Sequence, residues 1–259
     1  MEEDFRDVLF DMAGPVATLV LNRPGKLNAV TPQMTDAIRG YADRINSGGE
    51  VRAVVLAGAG DRAFCAGSDI GELDAYDTAW EFRGRPDYCD AVRSIRKPVI
   101  AAVNGYAYGG GLELAMSADI RLASRNAAFA APEIKLGWIG GGGVSTFLAH
   151  SAGPSNAALM LYTGDPVDAA TALSWGLVSQ VLEPEDLLPA ARDLADRIAQ
   201  RPPIAAQTAK LNLRAAYAMP LESAIQYERD LQTICFATED AAEGRSAFTQ
   251  KRPPRFSGR

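Results

Sequence analysis

A single histidine and three scattered cysteines close off several common chemistries in this 259-residue chain. Any mechanism built on a Ser–His–Asp triad or on several imidazole ligands would have to pass through His150. That residue follows Phe147–Leu148–Ala149 and precedes a Ser–Ala–Gly turn, an unremarkable setting. Cys65, Cys89 and Cys235 form no CxxC pair, so neither a disulfide framework nor a structural zinc site is expected. Positive charge is also short, with 26 Lys and Arg against 32 Asp and Glu and a net charge of −6. That balance argues against nucleic acid or an anionic membrane surface as the main partner. No apolar run reaches the roughly 18 residues of a membrane span. The acidic start Met1–Glu2–Glu3–Asp4 does not read as a signal peptide. The expectation is a soluble, cytoplasmic protein.

What is present is apolar content, 47% of residues, enough for a sizeable core in one large domain or a domain with an appendage. Val8–Met12 and Val16–Leu21 flank Ala13–Gly14–Pro15 and read as a hairpin. Thr31 is placed to cap a helix to about Asn46, whose Met34, Ile38, Tyr41 and Ile45 follow helical spacing. Val51–Leu56 and Pro98–Val103 are near-continuous apolar runs, expected as buried strands. Ile120–Ala123 and Ala127–Ala130 read as further short strands. From Ser68 to Arg96 only a helix before Lys97 stands out. After Pro154 helices dominate, interrupted by a last strand at Leu177–Leu182. Leu187, Leu188, Ala191, Leu194, Ala195 and Ile198 form one apolar helix face. Beyond Arg201–Pro202–Pro203 come helical patterns at Ile204–Ala216, at Leu221–Ala237 and on to about Lys251. This tail is too small for a confident core of its own, so its apolar faces must pack on the core or on another subunit.

Two glutamates carry the chemistry. Glu113 lies in the first turn of the helix that Gly109–Gly110–Gly111 opens, and helix N-termini present bare N–H groups to negative charge. Glu133 lies in the apolar setting Ala130–Ala131–Pro132–Glu133–Ile134. The helix dipole should keep Glu113 ionised as a water-activating base. Burial should raise the Glu133 pKa and make it a proton donor. A third segment, Ala63–Phe64–Cys65–Ala66–Gly67–Ser68–Asp69–Ile70, lets backbone approach a ligand closely. If Ser68 starts a helix running through Glu72, its N–H points outward and can join that of Gly110 on one oxyanion. Gly58–Ala59–Gly60–Asp61–Arg62–Ala63 formally matches the GxGxxA dinucleotide fingerprint, but no helical period follows it.

These segments resemble the crotonase (enoyl-CoA hydratase/isomerase) superfamily. The resemblance runs through Leu21–Asn22–Arg23–Pro24, Leu27–Asn28–Ala29 and Phe64–Asp69, then Val103–Asn104–Gly105–Tyr106 and the triglycine helix. It continues through Pro132–Glu133–Ile134, Gly176–Leu177–Val178 and Ala247–Phe248 to Lys251–Arg252, in order along nearly the whole chain. It implies an α/β fold: a spiral of ββα units over 1–200 holding an acyl-CoA site, with a helical trimerisation region over 201–259. It implies an oxyanion hole from the backbone N–H groups of Ser68 and Gly110, and Glu113 and Glu133 as the hydratase glutamates. A coenzyme A path would run along Lys26, Leu27, Ala66, Asp69 and Ile70, with Phe248 and Lys251 reaching the nucleotide end, from a neighbouring subunit if need be. Trimers, usually stacked in pairs, would be the assembly, and no metal or redox cofactor is implied. The activity implied is addition of water across the α,β double bond of an acyl-CoA thioester. The segment Met219–Pro220–Leu221–Glu222 and the final nine residues also resemble carnitinyl-CoA dehydratases, which keeps dehydration or isomerisation of a specialised acyl-CoA as one alternative; a non-catalytic binding paralogue is the other, and the intact Glu113 and Glu133 speak against it. Two departures bear on the acyl pocket: Trp138–Ile139–Gly140–Gly141–Gly142–Gly143 lacks the proline often seen there, and Ser145–Thr146–Phe147 replaces Thr–Gln–Arg.

Overall fold

A computed structural model describes residues 6–259; the acidic start Met1–Asp4 lies outside them. The expected hairpin forms from β1 (Val8–Ala13) and β2 (Val16–Leu21), paired antiparallel. A tight turn with Leu27 and Asn28 both at positive φ leads into α1 (Pro32–Ser47). The Thr31 hydroxyl accepts from the Met34 amide, a cap worth about 1 kcal/mol.

The chain then repeats one manoeuvre. A strand runs through a large sheet, a short strand turns into a second sheet, and helix follows. β3 (Ala53–Gly58) and β4 (Ala63–Cys65) are followed by α2 (Ile70–Leu73), α3 (Ala79–Gly84) and α4 (Tyr88–Ser94). β5 (Val99–Val103) and β6 (Tyr106–Tyr108) are followed by α5 (Gly110–Ser117). β7 (Ile120–Ser124) and β8 (Ala128–Ala130) lead through a 3₁₀ turn to α6 (Val144–Ala152) and α7 (Pro154–Thr163). A two-residue strand β9 (Val167–Asp168), α8 (Ala169–Ser174) and β10 (Gln180–Leu182) close the series before α9 (Pro184–Ala199). The six-stranded sheet has the order β1-β2-β3-β5-β7-β10 and the four-stranded one β4-β6-β8-β9. All pairs are parallel except β1/β2 and β8/β9.

The large sheet is covered on both faces, which explains its almost unbroken apolar strands. Leu19, Val54, Leu56, Ala101 and Val103 pack with Met34 and Ile38 of α1 and with residues of α4 and α5. On the other face Val55, Ile100, Ala102 and Leu122 meet Leu187, Ala191 and Ala195 of α9, the face read from the sequence. Removing any of the larger of these side chains should cost about 2–5 kcal/mol.

Some boundaries differ from expectation. The strand expected at Val51–Leu56 starts and ends two residues later, as Ala53–Gly58, because its register follows β2. Of Leu177–Leu182 only Gln180–Leu182 pairs; Leu177 and Val178 are instead buried in the core. Ser68 does not begin a helix. It forms an isolated parallel bridge with Val30, Asp69 occupies the cap position, and α2 starts at Ile70.

The tail consists of α10 (Pro203–Ala218), α11 (Leu221–Phe236) and α12 (Glu239–Gln250). Helix α10 is tied to the core by Lys210, whose Nζ donates to Asp119 Oδ2 at 2.7 Å and to the Lys97 carbonyl at 2.9 Å. Breaking a pair this buried by removing one partner typically costs about 3–5 kcal/mol. Leu213, Tyr217, Leu221, Ile234, Phe236 and Phe248 remain exposed. His150 of α6 rests against Tyr217, with ring centroids 4.9 Å apart. Among the described residues no helix is long and apolar enough to cross a membrane.

Candidate active site

Asn28 fixes one wall. Its backbone is left-handed, which Asn tolerates, and its side chain is fully buried. Its Nδ2 donates to the carbonyls of Ala59 and Ala63, and its Oδ1 accepts from the Arg23 amide. The segment 23–30 is thereby laid along 58–70: Ala66 N donates to Leu27 O at 3.0 Å and Val30 N to Gly67 O at 2.8 Å. Arg23 Nη1 reaches Asp69 at 3.1 Å. Lys26, Leu27, Ala66, Asp69 and Ile70 therefore lie along one strip, with Lys26 and Ile70 exposed.

That strip meets the start of α5. Gly67 has φ +98, and a Cβ there would sit 3.0 Å from Gly110 N and 3.2 Å from Tyr108 O, so only glycine allows the approach. Among the described residues neither the Ser68 amide nor the Gly110 amide donates a hydrogen bond. For Gly110 the reason is positional, since the first amides of a helix have no intrahelical acceptor. Ser68 keeps a free amide for another reason: in its bridge to Val30 only the flanking Gly67 carbonyl and Asp69 amide are used.

Glu113 and Glu133 converge behind this pair of amides. Glu113 is 5% exposed, in the first turn of α5, where its amide donates to Gly109 O. Its Oε1 accepts from Gly142 N at 2.7 Å and from Val144 N at 3.4 Å. Arg93 holds that glycine loop, donating to Gly142 O at 2.7 Å and Ser117 Oγ at 3.1 Å. The departure at Gly140–Gly143 now has a physical role, because a Cβ at Gly142 would lie 2.8 Å from Glu113 Oε2.

The expectation that the helix dipole keeps Glu113 readily ionised is not met. Burial pushes its carboxyl up to about 7; the amides of Gly142 and Val144 pull the other way, and the nearby charges of Glu133 and Asp87 add to the rise. Desolvation outweighs the partial charge at the end of a helix of eight residues. Glu133 is 8% exposed on the 3₁₀ turn Pro132–Leu136, and its pKa is raised by burial, as expected. Its Oε2 is buried without a hydrogen-bond partner among the described residues. Such an orphan oxygen is costly unless it is protonated or meets a ligand.

Phe248 and Lys251 do not join this cluster within one chain. Phe248 on α12 is 88% exposed, and Lys251 ends α12 in a left-handed cap. Cys65 is a buried filler: burial pushes its thiol up to about 12, away from nucleophile chemistry. The GxGxxA segment leads into β4 and not into a helix, which removes the dinucleotide reading. Sequence reasoning missed Gly142, Arg93 and Tyr88. Only the glycine run flagged the first of them, and nothing flagged the others.

Two amides that donate no hydrogen bond among the described residues, one of them at a helix start, with two buried carboxylates nearby, are an arrangement able to do acid–base chemistry beside a developing negative charge on an α/β spiral. The chain belongs to the enoyl-CoA hydratase/isomerase family, whose model matches residues 11–259. Its fold is the crotonase spiral. It is similar to a short-chain-enoyl-CoA hydratase of Clostridium acetobutylicum, 35% identical over 96% of this chain and 97% of the relative. It is 36% identical to a crotonyl-CoA hydratase of Syntrophomonas wolfei, over 97% of this chain and 98% of that one. The structure superposes on an enoyl-CoA hydratase crystal structure from Geobacillus kaustophilus with a TM-score of 0.93 and 38% identity, covering 99% and 100% of the two chains.

Proposed function

We propose that the protein is an enoyl-CoA hydratase, a hydro-lyase adding water across the α,β double bond of an acyl-CoA thioester. One observation carries the reading: two buried carboxylates flank the start of α5, beside two backbone amides that donate no hydrogen bond among the described residues. Attack of water on Cβ moves negative charge onto the thioester oxygen. Donors fixed at that oxygen help more in the transition state than in the ground state. The amides of Ser68 and Gly110 are those donors in this reading. Glu113, held by Gly142 and Val144, takes the proton from water, and Glu133 delivers one to Cα. Burial raises both carboxyls, Glu113 to about 7, so the site can keep a proton near neutral pH, as both directions of the reaction require.

Coenzyme A enters as part of the substrate. Lys26, Leu27, Ala66, Asp69 and Ile70 supply its adenine and pantetheine path, and Phe248 and Lys251 reach the nucleotide end from a neighbouring subunit. The reading calls for no metal or redox group. Region 201–259 is the trimerisation region, supported by its exposed Leu213, Leu221, Ile234 and Phe236, and sedimentation of the full chain should show a trimer or a pair of trimers.

The test is a panel of enoyl-CoA thioesters, from crotonyl to long-chain and carnitinyl, followed by loss of the conjugated thioester absorbance. Hydration of at least one straight-chain member is expected. Turnover of none would overturn the reading, and turnover of the carnitinyl thioester alone would replace it with the specialised dehydratase.

A further inference from the structure

Tyr88 stands at the point where the two amide walls meet, and neither mechanism nor sequence has given it a task. It belongs to the short helix α4, is 7% exposed, and places its hydroxyl 3.1 Å from Ser68 Oγ. The same oxygen lies 1.9 Å from where a Cβ of Gly110 would be, so it is seated directly against Gly110 Cα. One phenol oxygen therefore touches both residues that offer free amides. Ser68 and Tyr88 also line a cavity of about 240 Å³ bordered by Asp69, Tyr76 and Arg85.

Counting protons gives the inference. Two hydroxyls carry two protons, and the Ser68–Tyr88 bond uses one of them. The second has no acceptor among the described residues, where neither hydroxyl makes another hydrogen bond. We propose that the Tyr88 hydroxyl is a third donor to the thioester oxygen, beside the amides of Ser68 and Gly110. A phenol is the stronger acid of the two and so turns its proton to the strongest acceptor present, the enolate oxygen. Ser68 Oγ–H then donates to Tyr88 Oη, and that polarisation strengthens the outer bond. Burial, with the charge of Glu113 adding to it, raises the phenol pKa well above its ordinary value, so the proton stays in place while the carboxylates titrate.

The inference rests on the hydratase reading, and the experiment separates the two. Tyr88→Phe keeps the packed ring and removes only the hydroxyl. Turnover of crotonyl-CoA is measured together with the near-ultraviolet absorbance of bound acetoacetyl-CoA, whose enolate carries its charge on the same oxygen. Loss of one charge-assisted donor should lower kcat about tenfold, leave KM within about twofold, and reduce the bound enolate signal. A purely structural role for Tyr88 would not lower that signal while leaving acetoacetyl-CoA bound. Ser68→Ala should lose only about threefold, since it removes the polarising group and not the donor. Normal kcat and normal enolate signal in Tyr88→Phe would overturn the proposal. Should that variant fail to fold by circular dichroism, Ser68→Ala decides. A tenfold loss with a vanished enolate signal would make Ser68 the donor and overturn it, and a small loss supports it. A wild-type protein that binds acetoacetyl-CoA as a Tyr88-dependent enolate but hydrates no enoyl-CoA would sink the hydratase reading and leave the third donor standing.

Discussion

Glu113 and Glu133 are chemically identical and almost equally buried, yet their surroundings differ in kind. Glu113 is gripped: one oxygen accepts two amides from the 142–144 loop, and Arg93 anchors that loop to α4 and α5. Glu133 is ungripped, with Oε2 lacking any partner among the described residues. A carboxyl with fixed donors keeps one orientation, which suits holding a water and activating it once the group has ionised. A carboxyl with a free buried oxygen favours its protonated form and is set to release that proton to a substrate carbon. Environment alone sets two residues of one type apart.

The strongest way to break this contrast is to remove each charge. Glu113→Gln and Glu133→Gln should each slow hydration by about 10²–10⁴-fold while acyl-CoA binding, followed by calorimetry, stays nearly intact. Near wild-type turnover in both would end the two-glutamate mechanism. An effect confined to one would assign both proton transfers to it.

A smaller change sharpens the contrast by disturbing only the grip. Gly142→Ala places a Cβ 2.8 Å from Glu113 Oε2 and 3.1 Å from Cys89 Sγ, so the carboxylate must move. Turnover should fall by about 10- to 100-fold, the usual consequence of shifting a reacting group by a fraction of an ångström to an ångström. In the wild type the acid limb of the kcat/KM profile should lie at about pH 7, where Glu113 ionises. In Gly142→Ala, with the amide contact strained, that limb should move to higher pH. An unmoved limb would mean that the loop amides do not set the ionisation of Glu113.

The last expected effect is on stability and leaves turnover aside. Folded Glu113 holds its proton more tightly than the unfolded chain does. Stability from this group is therefore full below its ordinary value of 4.5 and declines as pH rises to about 7. Glu113→Gln removes that decline. In urea unfolding the variant should match the wild type near pH 4.5 and exceed it by roughly 3 kcal/mol at pH 8. A variant that loses stability at pH 8 would show that the contacts of the carboxylate outweigh the cost of burying it.

Much of the scaffold was legible because local rules wrote it. Thr31 followed by Pro32 and a helical apolar period announced α1, and two-face burial made β3 and β5 continuous apolar runs. The triglycine start of α5 and the apolar frame of Glu133 marked both carboxylates and the Gly110 amide. Strands of two or three residues, such as β4, β6 and β9, are too short to show a period of two, and they went unread. Of the three helices between Ser68 and Arg96 only the one before Lys97 was read; the other two, Ile70–Leu73 and Ala79–Gly84, are too short to show a helical period.

The sequence alone determined which groups could be put forward as candidates: two glutamates, one glycine amide and one serine amide. The tertiary structure decided how those groups behave. Glu113 titrates at about 7 because strands, helices and a glycine loop from distant parts of the chain remove its water. Tyr88 meets Ser68 across 20 residues of chain, and Arg93 meets Gly142 across 49. Helix starts, turns and apolar periods are local properties of neighbouring residues and can be read along a line. Desolvation and the sharing of a proton depend on everything packed around an atom, and only the folded chain fixes that.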